Sequence, residues 1–269
     1  MEPQLLLGKP VKELLVGKIN KRIASGQKIK AYIIYNDASF EADAYHKQIA
    51  KQLIKLGQEV KEINISNSSD VIDAINRGNN DPIGSIIICR PLLVDNEKDL
   101  IELVDEKKDA DSLTYSSLGR VVKGNLKYLS GTSASVKNIV DYYQIPVKGK
   151  RVLIVGRSLS VGLPISQFLL QYHGLISIVH TRITKEDIKL QAKNSDIIVL
   201  AAGTRGLISE DDISPDATII DCGYQEDGGG DLGFVPKCKA YTPVPGGVGP
   251  LTISCLIENC FYKLYGDFE

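Results

Sequence analysis

The segment VLIVGRSLSVGLPIS, from Val152 to Ser166, contains residues whose types and spacing suit phosphate binding. An apolar run ends at Gly156, and Gly162 follows six residues later, where a helix is predicted to begin. A turn of this kind directs free backbone N–H groups and the positive end of the helix dipole towards a phosphate. The spacing differs from G-x-G-x-x-G, so a strand, turn and helix without a ligand stays the alternative.

Two arginines favour NADP over NAD as the dinucleotide. Arg157 lies in the turn with Ser158, and Arg182 follows the next apolar run, in VHTRIT, so both cations stand where an adenosine 2′-phosphate would lie. No acidic residue ends that run to hold the hydroxyls of a free ribose. A solvated surface charge is the alternative for each arginine.

A second unusual segment is YTPVPGGVGPLT, from Tyr241 to Thr252, which has three prolines and three glycines between Pro243 and Pro250. Proline fixes φ, and glycine lets another group approach the main chain closely. Such a stiff loop is typical of a wall built against a ligand, with a double turn between a strand and a helix as the alternative.

Apolar runs of strand length alternate with segments of helical periodicity along the chain. In the first hundred residues, KAYIIYN, EVKEINI and GSIIICRPLL each precede a helical segment. A second series comprises GKRVLIVG, LISIVHT, SDIIVLAAG and ATIIDCG, with helical segments near 161–172 and 185–193. This order predicts an α/β fold of two lobes with parallel sheets and a cleft between the lobes.

The junction between the lobes is placed in the polar, irregular segment 106–132. Residues 1–130 are predicted to form the first lobe, completed by a terminal helix over 251–269. Residues 131–250 are predicted to form a second, Rossmann-like lobe.

The composition argues against several classes of function. The 269 residues are 43% apolar and carry a formal net charge of −1, which provides no overall basic field for nucleic acid or an anionic membrane. The apolar runs are too short to cross a membrane, and the N-terminus lacks the features of a signal peptide. The five cysteines form no CxxC pair, so we expect reduced thiols, a cytoplasmic location and no bound metal.

Three motifs, taken together, resemble one known family. VGRSLSVGLP, IIDCG followed by GGGDLG, and YTPVPGGVGPLT are similar, in this order, to segments of the bifunctional methylenetetrahydrofolate dehydrogenase/methenyltetrahydrofolate cyclohydrolase family. The resemblance extends over nearly the whole chain, and the proline–glycine loop is its most specific part. It implies a folate-binding lobe, an NADP-binding lobe, tetrahydrofolate derivatives as substrates and a homodimer formed through the second lobe.

The resemblance also implies roles for individual residues. Matching KKDADS to the family's K-D-V-D-G segment makes Asp111 the folate-binding aspartate, whose two oxygens accept hydrogen bonds from the edge of the pterin. An ordinary loop aspartate or helix cap is the alternative. The other implied residues are Tyr45, Pro245, Gly246 and Gly249 at the folate, and Val161, Tyr224 and Thr252 at the cofactor beside Gly156, Arg157, Ser158, Gly162 and Arg182.

Two positions depart from the family's pattern. The family has a lysine four residues after the tyrosine on the same helix, and a glutamine in a V-Q-L-P-L-P segment. Matching AYHKQIAKQLIKLG by Gly57 places Ile49 at the lysine position, and IICRPLL places Cys89 at the glutamine position. Matching by DAS places His46 at the lysine position, and Lys47 is two residues from the tyrosine and faces elsewhere. Neither register supplies a lysine.

We therefore expect NADP-dependent oxidation of 5,10-methylenetetrahydrofolate to 5,10-methenyltetrahydrofolate, with weak or absent cyclohydrolase activity. Hydride transfer chiefly needs alignment of the substrate with the nicotinamide, whereas hydrolysis needs a positioned acid or base that contributes roughly 10²–10⁴-fold. One alternative is the full bifunctional enzyme, giving 10-formyltetrahydrofolate, with Lys47 or His46 in the lysine's role. Another is a folate- or NADP-binding protein without catalysis.

Overall fold

The computed structural model describes residues 2–225 and 227–268, which form two compact α/β units. The first unit contains Leu15–Arg120 and the chain from Ile253 onward, and the second contains the chain up to Leu14 and Val121–Thr252. The helices are α1 (Gly8–Ala24), α2 (Phe40–Lys55), α3 (Ser68–Asn80), α4 (Glu97–Ile101), α5 (Tyr115–Val122), α6 (Gly131–Tyr142), α7 (Gly162–Gln171), α8 (Lys185–Lys193) and α9 (Gly249–Tyr265). The strands are β1 (Gln4–Leu5), β2 (Lys30–Tyr35), β3 (Glu59–Asn64), β4 (Gly84–Ile88), β5 (Arg151–Val155), β6 (Leu175–Val179), β7 (Ile197–Leu200), β8 (Thr218–Asp221) and β9 (Ala240–Tyr241).

The first unit is built on a parallel sheet with the strand order β3-β2-β4. Its apolar core is formed where α3 packs on the sheet, and β4 is buried along its whole length, as expected for a strand covered on both faces. The strands β3 and β4 lie on opposite sides of β2, so the strand order reverses at β2. In open α/β sheets, ligands bind outside the carboxyl ends of the strands at such a reversal.

The second unit contains a six-stranded sheet in the order β1-β9-β8-β7-β5-β6, in which every pair is parallel. The strand β5 lies between β6 and β7, so the order reverses at its carboxyl end, directly before Gly156. The phosphate-binding turn predicted from the sequence therefore stands at the position where a doubly wound sheet binds a dinucleotide.

The predicted fold class, two α/β units with parallel sheets, is confirmed. The predicted boundaries differ from the compact units, because residues 4–5 pair with residues 240–241 and so bring the N-terminal segment into the second unit. The segment 106–132 was expected to be irregular, and this expectation is wrong. It contains α5 and the start of α6, whose serine-rich first turns mask their helical periodicity.

No helix within the described residues is long and apolar enough to cross a membrane. In the same part of the chain, no group of three or more His, Cys, Asp or Glu side chains is arranged to hold a metal ion. All five cysteines are free thiols, and four of them are buried: Cys89, Cys238, Cys255 and Cys260.

Candidate active site

The two glycines of the phosphate-binding turn are required by close packing. Gly156 has φ of 132°, and a Cβ there would lie 2.1 Å from the carbonyl oxygen of Ala201. A Cβ on Gly162 would lie 2.2 Å from the carbonyl oxygen of Gly156. Any side chain at either position would therefore force β5, α7 or the loop after β7 apart. The tight turn that results brings the N-terminus of α7 to the end of β5.

The turn between these glycines is held by hydroxyl groups. Ser158 Oγ accepts hydrogen bonds from the amide of Val161 at 3.1 Å and from that of Gly162 at 3.4 Å. Ser133 Oγ, on α6, donates to the carbonyl oxygen of Ser160 at 3.1 Å. Ser158 thus satisfies the first amide of α7 and the amide before it, a contact that the sequence prediction, which placed Ser158 at the cofactor, did not include.

The predicted phosphate-binding arginines lie at one edge of the second sheet. Arg157 follows β5 and Arg182 follows the neighbouring parallel strand β6, and both side chains are exposed. The carboxyl ends of parallel strands meet at the same edge, so the two cations are attached close to the turn. Tyr224, which follows β8 at this edge, is also exposed.

The motifs IIDCG and GGGDLG form a buried carboxylate network that sequence reasoning did not assign. Asp231 Oδ2 accepts the amides of Ala202 and Gly203, both at 2.9 Å, and so fixes the loop after β7. Asp221 accepts amide hydrogen bonds from the GGGDLG segment itself, including that of Leu232 at 2.9 Å. Burial raises the pKa of Asp221, and these amide donors oppose the rise. The two aspartates therefore fix the backbone at the carboxyl edge of the second sheet, where the cofactor is predicted to bind.

The proline–glycine loop packs against the first residue of α1. The amide of Gly8 donates to the carbonyl oxygen of Gly246 at 2.8 Å, and a Cβ on Gly8 would lie 2.0 Å from the carbonyl oxygen of Gly247. Gly246 has φ of 115°, which glycine adopts far more readily than other residues. These contacts explain part of the composition by packing within the second unit. Pro245, with a cis peptide bond before it, is exposed.

Gly249 differs from the other glycines of the loop. It is the first residue of α9, it is exposed, and a Cβ there would meet no atom within 4 Å. Thr252, in the same turn of the helix, is half-buried. Internal packing therefore gives no reason for a glycine at position 249, which stays a predicted folate contact.

Tyr45 and Asp111, predicted from separate segments, lie together in the first unit. Burial raises the pKa of the Tyr45 phenol well above its ordinary value, and the Asp111 carboxylate contributes to the rise. Both side chains are partly exposed, and the thiols of Cys89, Cys255 and Cys260 lie around the phenol. The phenol therefore remains a protonated hydrogen-bond donor at neutral pH.

The two positions that are predicted to depart from the family pattern are fully buried. Ile49 and Cys89 each have 0% exposure, and Leu53 continues the apolar face of α2 on which Ile49 lies. Burial and the nearby Asp111 carboxylate raise the pKa of the Cys89 thiol far above neutrality. This thiol directly follows β4, the strand beside β2, where the strand order of the sheet reverses.

His46 and Lys47 make other contacts. The imidazole of His46 stacks on the ring of Tyr35, with 3.6 Å between centroids, and its Nε2 lies 3.2 Å from Glu62 Oε2. The ammonium of Lys47 is exposed and pairs with Asp43 on the next turn of α2. Both side chains thus lie beside residues other than those around Tyr45.

A buried lysine on α9 was missed by sequence reasoning. Lys263 Nζ donates to Ser112 Oγ at 3.0 Å, to Ser117 Oγ at 3.1 Å and to the carbonyl oxygen of Asp109. Burial lowers the pKa of Lys263, and the carboxylates of Asp109 and Asp111 oppose this shift. The available signal was the placement of two polar residues, one helical turn apart, on the buried face of an apolar helix.

Comparison with known proteins identifies the family. Residues 130–266 match the family model of the NAD(P)-binding domain of tetrahydrofolate dehydrogenase/cyclohydrolase. Bifunctional protein FolD of Chlamydia felis is 34% identical over 280 residues, covering 95% of this chain and 96% of that protein. The chain belongs to the tetrahydrofolate dehydrogenase/cyclohydrolase family.

Solved structures of this family have the same fold. The bifunctional 5,10-methylenetetrahydrofolate dehydrogenase/cyclohydrolase of Thermoplasma acidophilum superposes with a TM-score of 0.86 and 28% identity, covering 97% of each chain. The bifunctional enzyme FolD of Campylobacter jejuni gives a TM-score of 0.89 and 26% identity, covering 97% of this chain and 98% of that one. The predicted family and the predicted class of enzyme, a dehydrogenase that uses a nicotinamide dinucleotide, are confirmed.

Proposed function

We propose that this protein oxidises 5,10-methylenetetrahydrofolate to 5,10-methenyltetrahydrofolate with NADP and hydrolyses the product weakly or not at all. The proposal that hydrolysis is weak or absent rests on one observation. If the helix is matched by Gly57, a fully buried isoleucine stands where the family pattern has a lysine, and a thiol whose pKa is raised is predicted to stand where that pattern has a glutamine. The dehydrogenase part is supported by the family and by both ligand regions described above.

The folate is held by Asp111 and Tyr45. The Asp111 carboxylate accepts hydrogen bonds from the amino group and ring N–H of the pterin, and the protonated phenol of Tyr45 donates at the same place. Together they fix the pterin ring and so orient its methylene carbon.

The turn after β5 fits a dinucleotide. Its two glycines allow β5, α7 and the loop after β7 to pack closely, and it joins the carboxyl end of β5, where the strand order reverses, to the N-terminus of a helix. Gly156, Val161 and Gly162 would line the diphosphate, while Arg157 and Arg182 would hold the 2′-phosphate that distinguishes NADP from NAD. When bound, the nicotinamide accepts the hydride from the methylene carbon of the folate.

The oxidation itself needs no acid or base from the protein. A nitrogen lone pair of the folate forms the new C–N π bond as the hydride leaves, so no proton moves. Hydrolysis of the methenyl group instead requires an activated water and proton transfer between nitrogen and oxygen. Ile49 has no titratable atom, and the Cys89 thiol stays protonated near neutral pH, so neither can take a proton from water.

The complete bifunctional reaction is the second candidate, because the relatives named above are called bifunctional. It would need another group to activate water. His46 and Lys47 are engaged with Glu62 and Asp43, so either would have to leave its present partner.

We further propose that the chain forms a homodimer through the second unit. The strand β6 is the edge of the six-stranded sheet and exposes Leu175 and Ile178, which an adjoining strand or helix would cover. Sedimentation equilibrium tests the assembly, and a mass of a single chain, 29.4 kDa, would contradict it.

Comparison of the two dinucleotides tests the proposed function. The purified protein is mixed with 5,10-methylenetetrahydrofolate and either NADP or NAD, and formation of the reduced dinucleotide is followed by absorbance. The proposal predicts turnover, with kcat/KM higher for NADP. Binding of both ligands without any reduced dinucleotide would instead identify a binding protein.

A further inference from the structure

One face of α9 holds the backbone directly before Asp111 and the side chain of the residue directly after it. Asn259 Nδ2 donates to the carbonyl oxygen of Ala110 at 3.2 Å, and Lys263 Nζ, one helical turn later, donates to the carbonyl oxygen of Asp109 and to Ser112 Oγ. Asn259 and Lys263 are each only 7% exposed. The helix thus contacts the two residues before Asp111 and the residue after it.

The opposite side of the same segment is held by β4. The amide of Ile86 donates to the carbonyl oxygen of Lys108 at 2.7 Å, and the amide of Ala110 donates to the carbonyl oxygen of Ile86 at 3.1 Å. Residues 108–110 therefore continue the sheet as a short parallel bridge. The backbone that presents Asp111 is therefore fixed by both β4 and α9, two elements far apart in the sequence.

The backbone conformation of Ser112 explains why this segment must be held in place. Its φ is 55°, in the left-handed region, which is unfavourable for residues with a Cβ. Its hydroxyl is 2% exposed and accepts from the Lys263 ammonium. Without that donor, the conformation would be strained and the buried hydroxyl would lose an ionic partner.

The three N–H bonds of the Lys263 ammonium face three oxygen acceptors, those of Asp109, Ser112 and Ser117. Ser117 Oγ in turn donates to Asp109 Oδ2 at 2.7 Å, and this carboxylate accepts the amides of Leu113 and Thr114. The lysine therefore closes a network that spans the whole loop from 109 to 117. An ammonium used in this way orders the backbone instead of transferring protons.

We propose that Lys263 is a positioning residue for folate binding, which holds Asp111 in place through Asp109 and Ser112, with Asn259 as its partner one turn earlier. This inference rests on the proposed function, because it takes Asp111 as the anchor of the pterin. It assigns to the C-terminal helix a function in substrate affinity that is separate from packing the first unit.

The test compares Lys263→Met with Lys108→Met. Lys108 is a second buried lysine beside the same loop, but its ammonium donates to the carbonyl oxygens of Asp81 and Pro82, at 2.7 and 3.1 Å. Tetrahydrofolate and NADP affinities are measured by titration, with kcat at saturating folate. Lys263→Met should weaken tetrahydrofolate binding at least tenfold, leave NADP affinity within twofold and leave kcat within threefold. Lys108→Met should leave all three within threefold.

A second substitution separates positioning from general destabilisation. Glycine adopts φ near 55° without strain and has no hydroxyl to satisfy. Ser112→Gly in the Lys263→Met background should therefore recover at least half of the lost binding free energy. If Lys263→Met does not fold, Asn259→Ala, which removes the hydrogen bond to the carbonyl oxygen of Ala110, should weaken tetrahydrofolate binding about threefold or more.

Amide hydrogen exchange distinguishes the failure of this inference from that of the proposed function. An unmodified protein that binds no tetrahydrofolate would refute the function, yet exchange at Leu113 and Thr114 should still be faster in Lys263→Met than in Lys108→Met. Unchanged exchange together with unchanged tetrahydrofolate affinity in folded Lys263→Met would overturn the inference. So would loss of methenyltetrahydrofolate hydrolysis with intact affinity, since that result would make the lysine a catalytic group.

Discussion

Substitution of Gly249 by alanine separates a glycine kept for a ligand from a glycine kept for packing. A Cβ at Gly249 meets no atom within 4 Å, whereas a Cβ at Gly247, two residues earlier, would lie 2.6 Å from Thr242 Cβ and 2.8 Å from the carbonyl oxygen of Pro243. The same methyl group is therefore harmless to the fold at one position and a steric clash at the other. Only a bound ligand would make it harmful at the first.

The expected magnitudes follow from these contacts. Gly249→Ala should keep or raise stability by up to about 1 kcal/mol, because alanine loses less backbone entropy in a helix. Gly247→Ala should cost about 1–3 kcal/mol, the usual range for overpacking a site that must shift to make room. If the pterin passes Gly249, the added methyl group should weaken folate binding at least tenfold, or about 1.4 kcal/mol.

The assay combines chemical denaturation with titration of tetrahydrofolate into each variant, and NADP titration serves as the control for an intact second unit. Gly249→Ala should be as stable as the unmodified protein and defective only in folate binding. Unchanged folate affinity in this variant would refute the placement of the pterin beside the first turn of α9. A loss of stability in Gly249→Ala would show that the glycine has a packing role.

Three further substitutions test the other parts of the site. Arg157→Ala should raise the KM for NADP about 10- to 150-fold, the equivalent of a charge-assisted contact of roughly 1.5–3 kcal/mol, with little change in the KM for NAD. Arg151→Ala, at the opposite end of β5, is the control, and equal effects of Arg157→Ala on both dinucleotides would contradict the assignment. Asp111→Asn should weaken folate binding at least tenfold, because an amide donor would face the N–H groups of the pterin, while NADP affinity stays unchanged. Folate affinity equal to that of the unmodified protein would show that Asp111 does not anchor the pterin. Arg205 lowers the pKa of Asp227 from 3.8 to about 2, so the stabilisation that this ion pair gives the fold is present above pH 4 and is lost as the pH falls towards 2. Asp227→Asn should flatten that part of the acid unfolding curve, and an unaltered curve would show that the pair is not linked to folding.

Residues 152–166 show how much of the site could be predicted from the sequence. The apolar run, the two glycines and the helix start predicted a strand, a turn and α7, and the structure has all three. Local patterns sufficed here because the turn is made by residues that are close in sequence. The hydrogen bonds of Ser158 to the amides at the start of α7 were not predicted, because a serine in a glycine turn suits a phosphate and a helix end equally well.

Lys263 shows why the remainder was beyond the sequence. Its partners Asp109, Ser112 and Ser117 are about 150 residues away, so no local periodicity connects them. The sequence shows Asn259 and Lys263 one helical turn apart in an apolar helix, but it does not show which face of that helix is buried. Burial of that face is decided by the return of α9 to the first unit, which is a property of the complete fold.

The most direct test of the central claim follows two absorbance bands in one reaction. The unmodified protein is mixed with 5,10-methylenetetrahydrofolate and NADP, and the bands of NADPH and of methenyltetrahydrofolate are recorded together over several enzyme concentrations. We predict that both products rise in equal amounts and that the methenyl band then decays no faster than in an enzyme-free control. Decay of the methenyl band at a rate proportional to enzyme concentration would show that the protein hydrolyses its product and would contradict the proposed loss of cyclohydrolase activity.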